Sequence, residues 1–168
     1  FNNIYTKNHW KSDESISGTG SSIEQTASLR YELPSLFKKL DIKSVLDIPC
    51  GDFNWMKETD LSGITYIGAD IVTKLINTNK KYGKENVSFE VLDLTNDMLP
   101  KSDLIICRDC FVHLSFNDIY ASLKNIISSD SKYLLTTSFP SCNLNYDIAS
   151  GEWRVLNFEI HPFNFPKP

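Results

Sequence analysis

Five short apolar runs set the tightest limit on how this chain folds: "SVLDIP" from Ser44, "TYIGADI" from Thr65, "VSFEVLDL" from Val87, "LIICRDC" from Leu104 and "YLLTTSF" from Tyr133. None has helical period, and each is bounded by turn or helix signals, the mark of strands buried on both faces. Between them, Ile71, Leu75, Ile76 and Tyr82 outline one helix, with Gly83 as its stop. Ser115 with Asp118 caps another, whose apolar positions are Ile119, Leu123, Ile126 and Ile127. Ahead of the first strand, Ser21 and Glu24 make a capping box for a helix carrying Ile23, Ala27 and Leu33. Pro34 is expected to interrupt that helix, after which Leu36, Phe37 and Leu40 continue its apolar face. Strands alternating with helices predict an α/β fold, doubly wound, with a mainly parallel sheet of five strands and helices on both faces.

The chain has 168 residues, 41% of them hydrophobic, which suits one domain with a real core and is too little for two. Residues 1–21, polar and rich in Ser, Gly and Asn, read as an irregular arm, 22–139 as the core and 140–168 as a substrate-side tail. The chain starts at Phe1 and stops at Pro168 after "HPFNFPKP", so it is expected to be a portion of something longer. A formal charge of −4 argues against a nucleic-acid partner, because nonspecific affinity for phosphate backbones comes from clustered Lys and Arg. No apolar run approaches the roughly 20 residues that span a bilayer, and no basic-then-apolar leader opens the chain. A cytoplasmic protein without a membrane partner is the expectation. Cys50, Cys107, Cys110 and Cys142 are expected to be reduced thiols. The "CRDC" spacing lacks the two further ligands of a structural zinc site, so no metal is expected.

In sheets of this kind the ligand sits beyond the carboxyl ends of the strands, where strand order reverses. Those ends carry Asp47 with the turn Pro49-Cys50-Gly51-Asp52, then Asp70, Asp93, and the pair Arg108 and Asp109. Asp70 follows Gly51 at the spacing from which a carboxylate reaches a ribose hydroxyl. Dinucleotides and S-adenosylmethionine both use such an acid, and the first turn discriminates between them. A pyrophosphate needs a glycine-rich approach to a helix N-terminus. Here Gly51 stands alone, Pro49 lacks a donor, Asp52 repels phosphate, and Phe53 and Trp55 crowd the helix start. The sulfonium and ammonium groups of S-adenosylmethionine are cationic and tolerate carboxylates. Asp93 is placed to accept the adenine amino group, with Leu94 offering its backbone N–H and packing on the ring; a turn role for Asp93 is the competing reading.

With these residues in view, the chain resembles the class I S-adenosylmethionine-dependent methyltransferases, with a Rossmann-like sheet, over roughly residues 44–139. It is similar, more narrowly, to small bacterial methyltransferases of surface-polysaccharide synthesis, including those that methylate capsular phosphoramidate. The pieces behind this are "FNNIY", "SISGTGSS", "LDIPCGDFNW", "RDCFVHLSF" and "GEWRVLNFEIHPFNFPKP". The resemblance implies a cofactor set of Trp10, Ser17, Gly18, Arg30, Asp47, Pro49, Cys50, Gly51, Asp52, Trp55, Asp70, Ile71, Asp93, Leu94 and Arg108. It also implies a small-molecule or sugar-linked acceptor. Two features depart from the broad family: its first turn usually reads Gly-x-Gly, and its sheet usually ends in an antiparallel pair. Nothing after Phe139 reads as that pair, and the expectation is that those strands are missing.

Methyl transfer is a displacement at an already activated carbon, so the protein chiefly aligns a nucleophile and excludes water. His113 suits the role of base for a neutral hydroxyl, with Asp109 nearest the reacting methyl. For a phosphate or phosphoramidate oxygen, Arg154 or His113 would orient an anion instead, and Arg154 and Asn157, after the last parallel strand, are expected to wall the substrate pocket unless they merely pack the arm. Arg30 is the candidate donor to the methionine carboxylate, with the 17–20 loop and Trp10 folding over the ligand. Two other functions remain on the same residues: an NAD-linked oxidoreductase, which the lone Gly51 disfavours, and a catalytically idle adenosyl-binding domain.

Overall fold

The computed structural model describes residues 12–168. Helix α1 (Ala27–Lys39) leads into strand β1 (Ser44–Asp47), followed by β2 (Thr65–Asp70), α2 (Thr73–Asn79), β3 (Val87–Val91), β4 (Leu104–Cys107), α3 (Phe116–Ser128) and β5 (Tyr133–Thr136). All five strands pair in parallel, in the order β3-β2-β1-β4-β5. The chain winds outward from β1 through β2 to β3, then returns to lay β4 on the other side of β1. Between β1 and β4 lies the switch point at which such sheets leave a crevice.

Alternation along the strands sorts two cores. Val45, Tyr66, Leu104 and Ile106 face α1 and α2, where they meet Leu33, Phe37 and Ile76. Leu46, Ile48, Ile105 and Cys107 face α3, where they meet Ile119 and Ile126. Each such side chain, fully withdrawn from water, contributes roughly 1.5–3 kcal/mol, so the two faces together fix the register. Gly68 in β2 is a close-approach position, because a Cβ there would lie 2.8 Å from the Phe89 ring.

Several local expectations are corrected. α1 runs unbroken through Pro34. Proline removes one hydrogen bond, but Leu33 and Phe37 on either side of it are 1% and 4% exposed, and their burial holds both turns in line. The Ser21–Glu24 capping box does not form: the Ser21 N–H donates to the Gly18 carbonyl at 3.0 Å, the Ile23 N–H donates to Glu14 at 2.7 Å, and the helix starts only at Ala27. α2 is shorter than its apolar spacing suggests and tightens into a 3₁₀ turn, Lys80–Tyr82, while Gly83 keeps φ at −60°. α3 starts as expected, with Ser115 Oγ accepting from the Asp118 N–H at 3.2 Å. Ile127 is 79% exposed, however, and Ser122 is fully buried with its hydroxyl donating to the Asp118 carbonyl at 2.7 Å.

Among the described residues no strand follows β5. Residues 140–168 fold back irregularly onto the α3 side of the sheet, where Leu156 and Phe158 join the core. The Phe139 N–H donates to the Leu156 carbonyl at 2.7 Å. Phe158 stacks against Phe111, Phe163 and Phe165 at centroid separations of 4.8–5.5 Å. Among the described residues no helix is long and apolar enough to cross a membrane.

Candidate functional site

A cleft of about 190 Å³ opens at the switch point, beyond the carboxyl ends of the strands. The turn after β1 forms its floor. Two bonds anchor that turn: the Cys50 N–H donates to the Ala69 carbonyl at 2.7 Å, and Asn79 Nδ2 donates to the Gly51 carbonyl at 2.8 Å. Gly51 sits at φ 57°, and Phe53 at φ 59° is held by edge and tilted contacts with Tyr66, Tyr82 and Phe89. No α-helix starts here; a single 3₁₀ turn, Met56–Glu58, follows instead.

Asp52 does not face the cleft. It accepts from Ser15 Oγ at 3.0 Å and the Ile16 N–H at 2.9 Å, while its own N–H donates to Ser17 Oγ at 3.1 Å. These bonds strap residues 15–17 across the floor, so Ile16 and Ser17 line the cleft; Gly18, at φ 97°, does not, and the chain meets the cleft again at Ser21. A Cβ on Gly51 would overlap Ser17 Oγ. Gly51→Ala combines that clash with a left-handed backbone, and we expect a loss of about 1–2 kcal/mol in stability, read as a lowered thermal midpoint.

Asp47, Pro49, Cys50, Trp55, Asp70, Ile71, Asp93, Leu94, Arg108, Asp109 and His113 all line the cleft. Asp47 is 2% exposed and accepts from the Tyr66 hydroxyl at 2.6 Å. Burial pushes its pKa up to about 7, against the pull of Tyr66 and of Arg108. Burial likewise raises Asp70 to about 6, opposed by backbone donors that include the Val72 N–H at 2.9 Å. Asp93 uses both oxygens within its own turn, on Thr95 at 2.6 and 2.8 Å and on Asn96 at 2.9 Å. Desolvation opposes its ionisation, yet these bonds win and hold its pKa low.

At the β4 end, Arg108 donates to the Gly20 carbonyl at 2.8 Å, pairs with Asp109 at 2.9 Å and lies over the Trp55 ring. Asp109, at φ 49°, also accepts from Thr137 Oγ1 at 2.9 Å. His113 lies on the 3₁₀ turn Phe111–His113, half-buried. Its Nδ1 lies 2.8 Å from the Glu152 carbonyl, which can only accept, so Nδ1 carries the proton and Nε2 the lone pair. Desolvation lowers its pKa, in opposition to the Glu152 bond and the charge of Asp109.

Arg154 and Asn157 are corrected as substrate contacts. Arg154 is fully buried, donating to the carbonyls of Phe111 at 2.8 Å, Leu114 at 2.7 Å and Tyr146 at 3.1 Å. It holds the turn that carries His113. Asn157, 4% exposed, donates to the Pro140 and Cys142 carbonyls. Arg30 also lies away from the cleft, its guanidinium donating to the Ile23 carbonyl at 3.0 Å. Trp10 lies outside the described residues. Tyr66 and Asn79, which fix Asp47 and Gly51, carry no local sequence signal; the β1–β2 register, pairing Val45 with Tyr66, brings Tyr66 to Asp47. Cys110, Leu114 and Thr95 also line the cleft.

No family model matches the sequence, and neither does any curated protein. Solved structures do match. The DhpI complex with SAH is 15% identical over 93% of this chain and 78% of its own, with a TM-score of 0.62. The methyltransferase domain of bacterial CtHen1 is 17% identical over 68% of this chain and 65% of its own, at 0.57. The fold is the Rossmann-like methyltransferase fold. Magnesium protoporphyrin IX methyltransferase (ChlM) from Synechocystis PCC 6803, with bound SAH, shares it at 15% identity over 84% of this chain and 68% of its own, at 0.54. The chain spans between about half and two thirds of the length of the first structures it matches.

Proposed function

We propose that the protein is an S-adenosylmethionine-dependent methyltransferase acting on a small-molecule or sugar-linked acceptor, with S-adenosylhomocysteine as product. One observation carries this reading. The floor of the cleft offers no α-helix N-terminus to a diphosphate, while Asp47 and Asp70 present carboxylates to it. A dinucleotide forfeits its main anchor there, whereas an adenosyl cation meets complementary charge. The fold shared with chains solved bearing S-adenosylhomocysteine supports the same ligand.

The residues present fit this group. Asp70 would take the ribose hydroxyls and Asp47 the ammonium. Ile71 and Leu94 would flank the adenine, with the Leu94 N–H as donor. Arg108 takes over the methionine carboxylate from Arg30, which faces elsewhere. When bound, the cofactor supplies a methyl group that needs no further activation. The strap 15–17 shields the ligand from water, and His113 and Asp109 face the space left for the acceptor. By resemblance, the reaction belongs to surface-polysaccharide synthesis in the cytoplasm, with a sugar hydroxyl or a capsular phosphoramidate as acceptor.

Calorimetric titration tests the reading against its oxidoreductase rival. We expect S-adenosylhomocysteine to bind in the micromolar range and NAD not to bind; the reverse would remove the proposal. Transfer of labelled methyl groups separates an enzyme from an idle adenosyl-binding domain.

A further inference from the structure

Resting on that reading, we infer that Tyr66, which does not itself line the cleft, is a positioning residue for the ligand's ammonium group and acts through the Asp47 carboxylate.

The path from Tyr66 to the cleft is built into the register of the sheet. Val45 pairs with Tyr66 and Asp47 with Gly68, so the Tyr66 ring has to pass over Gly68 to come level with Asp47. Gly68 leaves room for it: a Cβ there would lie 3.1 Å from Tyr66 Cε1 and 2.8 Å from the Phe89 ring. The ring is fully buried, against Phe53 and Phe89 at centroid separations of 5.4 and 6.3 Å. Phenylalanine would fill the same space, and a buried phenol hydroxyl is unfavourable unless it finds a partner. The partner here is Asp47 Oδ2 at 2.6 Å, on a residue that is 2% exposed and lines the cleft.

A donor on a rigid, tightly packed ring does two things for a carboxylate. It fixes the plane of the group, and it favours the ionised form that attracts an ammonium. Burial raises Asp47 to about 7 and the charge of Asp70 adds to this; the Tyr66 bond pulls hardest the other way, followed by the charge of Arg108. The neighbouring thiols of Cys50 and Cys107 are pushed well up by burial and stay neutral. Burial also pushes the Tyr66 phenol well up, so it remains a donor. Arg108 bonds elsewhere, to Asp109 and the Gly20 carbonyl, which leaves Tyr66 as the side chain that orients Asp47 among the described residues.

Tyr66→Phe keeps the ring and removes only the hydroxyl, and two ligands read its effect. S-adenosylhomocysteine carries the ammonium; methylthioadenosine has the same adenosine and sulfur without it. In calorimetric titration near neutral pH we expect S-adenosylhomocysteine to lose about 10-fold in affinity and methylthioadenosine to change less than about 2-fold. The pH at which S-adenosylhomocysteine affinity climbs should also move up by about one unit, since the ionised Asp47 has lost its donor. Equal losses for both ligands, or no loss for either, would overturn the assignment and leave Tyr66 as packing. In Asp47→Asn, adding Tyr66→Phe should weaken S-adenosylhomocysteine less than about 2-fold further, and a full second loss would overturn it too. Carbon-13 spectra of the seven tyrosines read the bond in the parent chain, whether or not the variant folds. One ring signal should titrate with Asp47 near its value of about 7. That inflection should vanish in Asp47→Asn and on binding S-adenosylhomocysteine, and persist with methylthioadenosine; its absence from the unliganded parent refutes the coupling. If neither ligand binds the parent, the methyltransferase reading itself falls, an outcome distinct from all of these.

Discussion

Replacing Arg154 by Ala is expected to cost about 3–5 kcal/mol of stability, the range for breaking a buried network in which partners are left unsatisfied. The side chain is fully buried, and the Phe111, Leu114 and Tyr146 carbonyls that it serves would lose their donor. The damage should spread along a definite route. The Arg154 N–H donates to the Val112 carbonyl, the Gly151 N–H to the His113 carbonyl, and His113 Nδ1–H to Glu152. The tail thus grips the 3₁₀ turn from several sides around His113. Urea unfolding measures the loss, and nitrogen-15 spectra of the histidines should show His113 returning upward toward its ordinary pKa as its burial is relieved. A midpoint within about 1 kcal/mol of the parent would show that water replaces the guanidinium easily, and the tail would then be a covering and not a clamp.

The second large effect is a pair of opposite pH trends. Burial raises Asp47 to about 7 and Asp70 to about 6 from an ordinary value of 3.8, so the unliganded fold binds extra protons through this window. Their contribution to stability is complete below the unfolded value and is lost as pH rises through 6 and 7. Ligand binding runs the other way. The ammonium group favours ionised carboxylates, so affinity for S-adenosylhomocysteine should increase about 10- to 100-fold between about pH 5 and pH 8. Calorimetry across that range, with Asp47→Asn as the variant in which most of the slope disappears, is the measurement. An affinity that is flat or falls with pH would show that neither carboxylate faces the ligand's cation.

Much of the fold was legible because burial on two faces writes an unmistakable pattern. All five apolar runs are strands, and the Ser115 cap starts α3 where expected. Errors arose where a distant partner outweighed a local one. Pro34 is carried through a helix by the burial of Leu33 and Phe37. The Ser21 N–H goes to the Gly18 carbonyl in a 3₁₀ turn, and the Ser21–Glu24 box never closes. In the cleft, the acids at strand ends stood out as a set, though Asp93 serves its own turn through Thr95 and Asn96, while Tyr66 and Asn79 looked like ordinary core residues.

The amino-acid sequence by itself determined the parallel sheet and the ring of acids at its carboxyl edge, because strand period and turn chemistry are local. Only the tertiary structure decided which polar side chains remain for a ligand. Asp52 went to the strap, Arg154 to the carbonyls of the His113 turn, and Asn157 to the tail. The reason is physical: a buried backbone carbonyl or N–H must find a partner, and which side chain meets that demand depends on groups brought together by folding from far along the chain.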